Sequence, residues 1–417
     1  MFSDRTNWKL TRNRLTDALE AARSGGANIL DLAVSNPTRA GLRYDEAAIL
    51  ASLSSPRAID YDPQPKGLRQ AREAVAAYYS DERSGGGYAV HRFDPEQLVL
   101  TTSTSEGYSY IFRLLCNPGD ELLVPKPSYP LFEFLADLED VKLVPYPLIY
   151  DHGWQMDFPS LEKAVTPRTR GVVVVHPNNP TGSYVPAHEL TLLNEFCRER
   201  GLALIVDEVF LDYQLDVGTT APGCPVEPSA TALPSSTSAI ACYPSFTANQ
   251  DVLTFTLSGL SKVSALPQMK VAWIAVSGPS AETAPALARL EVIADTYLSM
   301  NAPLQWATPV LLDQRESLQK QLLDRVRGNL AELDRQLAQQ KTCERLAVNG
   351  GWYAILRVPV TKSDEDLAVE LLQRKSVLVH PGHFYDFPSD GYLVLSLITR
   401  AAEFCEGVGR MLELLNY

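Results

Sequence analysis

Short apolar runs alternate through the middle of the chain with longer stretches whose apolar positions recur every three or four residues. The first pattern predicts strands at Gln97–Thr102, Glu121–Val124, Val141–Tyr146, Val172–Val175, Ala203–Val206, Leu253–Leu257 and Val271–Val276. Several of these are apolar enough to be buried on both faces, as in a parallel sheet. The second pattern predicts helices over Gly107–Leu115, Ala187–Arg200, which ends at Gly201, and Leu322–Gln339. Strands and helices in alternation predict an α/β domain: a mostly parallel seven-stranded sheet sandwiched by helices.

The pattern changes toward the carboxy terminus. Trp352–Val358, Val377–Val379 and Tyr392–Leu397 read as strands between helices Asp364–Arg374 and Ala402–Leu415, a smaller α+β unit. Continuous helical periodicity from Ala284 to Gln339 predicts a bridge between the two. Residues 1–55 are expected to form an arm and part of the small domain, 56–300 the large domain, and 301–417 the interdomain helix and the rest of the small domain. The Pro-, Ser- and Ala-rich segment between Val217 and Pro244 has the composition of an inserted loop.

Composition narrows the function. With 417 residues, 45% hydrophobic and 21% charged, the chain is globular in type. A net charge of −13 without a basic stripe speaks against a nucleic-acid partner. The amino terminus lacks an uninterrupted apolar core and no segment gives the roughly 18 apolar residues of a membrane helix, so a cytoplasmic location is expected. Six scattered cysteines without a CxxC pair suggest neither a zinc site nor a disulfide framework.

Candidate chemistry collects at the ends of the predicted strands, the edge of an open α/β sheet where ligands bind. HPNNPTG at His176–Gly182 follows the run VVVV and brings Asn179 to that edge, although the same residues suit an ordinary turn. Asp207 and Glu208 end the next strand, 28 residues beyond Asn179, about one strand–helix–strand unit. A carboxylate there needs a partner, such as a metal, a ribose or a protonated ring nitrogen. Lys262 follows the strand LTFTLS, where an amine of lowered pKa can form a Schiff base. Ser103, Thr104 and Ser105 stand at a strand-to-helix junction suited to a phosphate, and Tyr129 follows another strand, where its ring can stack on a flat cofactor.

Singly, each feature has a structural explanation: a cap, a turn, a surface lysine, a core aromatic. Together they meet the needs of pyridoxal 5'-phosphate. Lys262 captures the aldehyde, Asp207 keeps the pyridine nitrogen protonated, Asn179 bonds the phenolic oxygen, Tyr129 stacks on the ring and Ser103–Ser105 hold the phosphate.

In this order the motifs resemble the class I/II aminotransferases, the fold type I pyridoxal-phosphate enzymes, from about Asn36 to the end of the chain. NNPTG, the strand-end Asp207–Glu208 pair and the Ser261–Lys262 pair carry the resemblance. It implies a homodimer, because YDPQPKGLRQAREAVAAYY resembles the family's stretch in which a tyrosine, here Tyr61, reaches the phosphate in the neighbouring subunit. It also implies a small domain built from both chain ends, and an amino donor and a keto-acid acceptor as substrates.

Three positions depart from the family pattern. Phe210 replaces a tyrosine that bonds the phenolic oxygen, leaving Asn179 alone unless Tyr213 substitutes. Lys270 replaces a phosphate-binding arginine, keeping charge but losing the bidentate fork. Val394 replaces the arginine that clamps the substrate α-carboxylate, so Arg400 or Lys66 takes over or the substrate presents no α-carboxylate there.

The reading is an aminotransferase working by a ping-pong exchange. A pyridoxal-phosphate lyase or synthase of β-elimination type is the alternative, and a non-catalytic ligand sensor on the same fold is a weaker one. No metal-binding cluster is expected. His380 and His383 are placed on the small-domain side of the cleft without a catalytic role, Tyr385 and Phe384 are candidates for lining a substrate pocket, and Trp352 is expected to pack the small domain.

Overall fold

The computed structural model describes residues 1–8, 10–80, 93–215 and 243–416. Nearly all of the Val217–Pro244 segment lies outside them. In chain order the first strands are β1 (Leu30–Asp31), β2 (Leu98–Thr101), β3 (Glu121–Lys126), β4 (Lys142–Tyr150), β5 (Trp154–Met156), β6 (Thr169–Val175) and β7 (Ala203–Asp207). They are followed by β8 (Thr254–Gly259), β9 (Ala272–Ser277), β10 (Glu344–Arg345), β11 (Tyr353–Arg357), β12 (Val377–Leu378), β13 (His380–Pro381) and β14 (Tyr392–Ser396).

The large sheet has the order β2-β9-β8-β7-β6-β3-β4-β5. Strands β8, β7, β6, β3 and β4 run parallel, and β9 lies antiparallel between β2 and β8. All seven expected strands are present. The eighth, β5, is a three-residue return of β4 through a tight turn at Asp151–Gly153, too short to leave a periodic trace.

Apolar side chains cover both faces of this sheet. Val173, Ile205 and Phe255 pack with Ile111 and Phe112 of the helix Thr104–Leu115, while Val172, Val174 and Leu204 pack with Leu193 and Phe196 of the helix Ala187–Arg200. That explains why the central strands read as unbroken apolar runs.

The expected continuous helix from Ala284 to Gln339 is three helices, Ser280–Tyr297, Ala302–Asp313 and Arg315–Leu337. Leu298, at φ 47°, ends the first, and Asn301 caps the second, whose first turn contains Pro303.

The carboxy-terminal unit is a sheet of order β10-β11-β14-β13 packed with helices Asp364–Lys375 and Ala401–Leu415. Its core includes Leu15, Leu30 and Leu32 from the other chain end, Leu322 and Val326 from the helix Arg315–Leu337, and Trp352. Strand β1 pairs in parallel with β12.

The two bodies touch closely at one backbone crossing beside the site. Gly182, at φ 67°, has space for no side chain, since a Cβ there would lie 2.4 Å from the Gly350 carbonyl oxygen. The Asn349 N–H donates to the Gly182 carbonyl across the same gap. The turn after β6 is thereby held against the entry to β11.

Candidate active site

Strands β6, β7 and β8 end side by side, and their last residues open onto a cavity of about 350 Å³. Lys262, Asp207, Asn179, Ser261, Thr104 and Tyr129 all line it. Thus six of the ten expected site residues are brought together, although they span 159 positions from Thr104 to Lys262, counting both ends.

Asp207 sits at the carboxyl end of β7. One carboxylate oxygen accepts from the Val209 N–H and the other from the Tyr108 hydroxyl, each across 3.1 Å. Burial pushes its pKa up to about 6, against the pull of those hydrogen bonds and of Lys262. Such a carboxylate is poised to take a cationic N–H partner, which would restore its charge.

Lys262 stands on the four-residue helix Leu260–Val263 directly after β8. Its ammonium lies 4.8 Å from the Trp352 ring centre and 5.5 Å from that of Phe210. Burial lowers its pKa to about 8, with Asp207 pulling the other way. An amine so placed is neutral in a useful fraction near neutral pH, as capture of an aldehyde requires.

Asn179 is buried, and its side-chain oxygen Oδ1 finds no hydrogen-bond partner among the described residues. An unpartnered buried amide in a cavity calls for a ligand group. Tyr129 keeps 46% of its surface and turns part of its ring to the cavity, leaving an aromatic face for a flat partner.

The phosphate end is assembled less completely. Ser103 caps the helix Thr104–Leu115, its Oγ accepting from the Glu106 N–H, while Thr104 reaches the cavity and Ser105 does not. The Glu106 carboxylate accepts from both the main-chain N–H and the hydroxyl of Thr102. Lys270 is exposed and does not line the cavity. Tyr61, 80% exposed, lies in a separate surface cavity of about 340 Å³ with Gln64, Leu298 and Asn301.

Phe210 lines the cavity, but Tyr213 does not replace the missing phenol there; its hydroxyl donates to the Lys262 main-chain carbonyl. Val394 is buried in the apolar core of the carboxy-terminal unit. Lys66 is paired with Glu96 at 2.7 Å and Arg400 is exposed, and neither lines the cavity.

Sequence reasoning missed Tyr108, the hydroxyl partner of Asp207. Its spacing of four from Thr104 puts both on one helix face, which is a usable signal. Ser35, Phe132 and Tyr353 were also missed, and His380 and Tyr385 turn out to line the cavity while Phe384 and His383 do not.

Lysine amine, strand-end carboxylate, unpartnered amide, open aromatic face and helix start form a donor set that fits pyridoxal phosphate. Fold and site together define a pyridoxal-phosphate-dependent enzyme of fold type I. The family model for aminotransferase class I and II matches residues 27–401, and the chain belongs to that family.

The chain is 28% identical over 396 residues to an alanine aminotransferase of Mycobacterium tuberculosis, covering 93% of this chain and 85% of that one. It is 24% identical over 349 residues to the S-alkyl-thiohydroximate lyase SUR1 of Arabidopsis thaliana, covering 81% and 69%. The solved alanine aminotransferase of Pyrococcus furiosus has the same fold, with a TM-score of 0.81 at 21% identity over all of both chains. The protein is a pyridoxal-phosphate-dependent aminotransferase. Among the described residues no helix is long and apolar enough to cross a membrane.

Proposed function

We propose that Lys262 is the residue that holds the cofactor and moves the proton in the transfer of the amino group, with Asp207 as its electrostatic partner. The observation that carries the reading is their meeting in one cavity beside the unpartnered amide of Asn179. Bound there, pyridoxal phosphate supplies an electron sink for the carbon that bears the amine.

The chain's own groups do the rest. Asp207 holds a proton on the ring nitrogen by ion pairing, and Tyr108 and the Val209 N–H fix the carboxylate's direction. Asn179 would bond the phenolic oxygen, and Tyr129 would cover the ring. Ser103, Thr104, Ser105, Ser261 and Lys270 would serve the phosphate, Thr104 and Ser261 from the cavity wall. With the cofactor bound, the Lys262 Nζ would be the group that takes the proton from the donor's amine-bearing carbon. Trp352 and Phe210 pack around that amine and keep water away from it.

The working form is a homodimer with Tyr61 reaching the phosphate of the other subunit; its exposure, away from its own cavity, supports that role. Units 1–55, 56–300 and 301–417 divide the labour between arm, cofactor body and substrate-facing body. The described cysteines, Cys116, Cys197, Cys343 and Cys405, are free, which supports a cytoplasmic enzyme.

The lyase reading keeps one point in its favour, the resemblance to the Arabidopsis lyase. A donor with isotope-labelled amino nitrogen separates the two. Transfer of the label to a keto-acid acceptor supports transamination, whereas release of all label as ammonia contradicts it.

A further inference from the structure

The cavity wall contributed by the carboxy-terminal unit is polar but uncharged. Tyr353, His380 and Tyr385 line it, and the Nδ1 of His380 is hydrogen-bonded to the Tyr385 hydroxyl at 3.0 Å. Burial pushes the His380 ring down to about 4, so it is neutral at physiological pH, and burial raises both tyrosines, which keep their protons.

The sheet register reinforces this. His380 stands directly opposite Val394 across the β13–β14 pair, and Val394 is itself sealed in the apolar core. Ser35 adds a hydroxyl to the lining. Among the described lining residues the charged side chains are Lys262 and Asp207, and both are committed to the cofactor.

A carboxylate pressed against such a wall loses water and meets no counter-charge among the described lining residues of its own subunit, a penalty that one neutral hydrogen bond does not return. A neutral amide or hydroxyl loses far less and can still pair with imidazole and phenol. Resting on the Lys262 reading above and concerning the donor half-reaction, we propose that His380 and Tyr385 form the donor specificity site. The group they take is neutral and hydrogen-bonding, an amide or alcohol on the amine-bearing carbon, in preference to a free carboxylate.

The test uses the cofactor-loaded enzyme and three donors that differ at one group: L-alanine, L-alaninamide and L-alaninol. Single-turnover loss of the bound cofactor's absorbance gives the rate for each at equal, subsaturating concentration. The amide or the alcohol is expected to react at least about tenfold faster than alanine, roughly the worth of the hydrogen bonds at stake.

Tyr385→Phe and His380→Phe are each expected to bring the amide-to-alanine ratio down about tenfold through the apparent donor affinity, with the cofactor band retained. Alanine reacting as fast as, or faster than, both neutral donors overturns the proposal. So does an unchanged ratio in both variants. A wild-type preparation with no covalently bound cofactor instead removes the Lys262 reading, and the specificity proposal with it.

Discussion

The Tyr213 hydroxyl donates to the main-chain carbonyl of Lys262 across 2.6 Å. Tyr213 is fully buried and packs its ring against Trp352, the same ring that flanks the Lys262 amine. One tyrosine therefore fixes the backbone of the lysine and, through Trp352, one wall of the space its side chain occupies. Tyr213→Phe removes the hydroxyl without opening a cavity. It is expected to lower stability by about 1 kcal/mol in chemical denaturation, since the carbonyl keeps its weaker bond from the Ala265 N–H. No change in the midpoint would show that the bond does not matter to the fold.

If Lys262 captures the cofactor, its lowered pKa sets the pH dependence of that capture. Only the neutral amine attacks an aldehyde, and its fraction grows as pH rises toward about 8, then levels off. Rapid mixing of the cofactor-free protein with pyridoxal phosphate should give a capture rate that rises through that pH and flattens above it. A rate still climbing toward pH 10 would indicate an ordinary lysine pKa.

Asp207→Asn keeps the shape of the residue and removes its charge. If Asp207 pairs with the ring nitrogen, covalent attachment of the cofactor is expected to persist in this variant while turnover falls about a hundredfold. Equal loss of attachment and turnover would point to a structural role instead.

Much of the site was legible because it lies at strand ends, and strand ends can be found from apolar runs. Asn179, Asp207 and Lys262 were located by following β6, β7 and β8 to their last residues, and the sheet aligns these ends by hydrogen bonding. Tyr353 was not legible in the same way. It is an aromatic in an apolar segment, and only the packing of one element on another decides that its edge faces a cavity instead of core. The break at Leu298 was hidden for a related reason: the positive φ there and the Asn301 cap that follows leave no mark on apolar periodicity. Lys270 shows the converse, a residue expected at the site from its motif yet exposed and outside the cavity lining.

The exposure of Tyr61 leads to a prediction about assembly. If each site borrows Tyr61 from its neighbour, Lys262→Ala and Tyr61→Ala subunits are separately impaired, but mixed dimers contain one site with both residues intact. Activity after mixing and reassociation should exceed the sum of the two variants measured apart. Strict additivity would contradict a shared site.

The central claim is that Lys262 carries the cofactor. Reduction of the loaded enzyme with borohydride, followed by proteolysis and mass mapping, fixes the point of attachment irreversibly. The expected result is a phosphopyridoxyl group on the peptide containing Lys262, and its loss in Lys262→Ala. A label on another lysine in the wild-type protein, with Lys262 unmodified, would contradict the account.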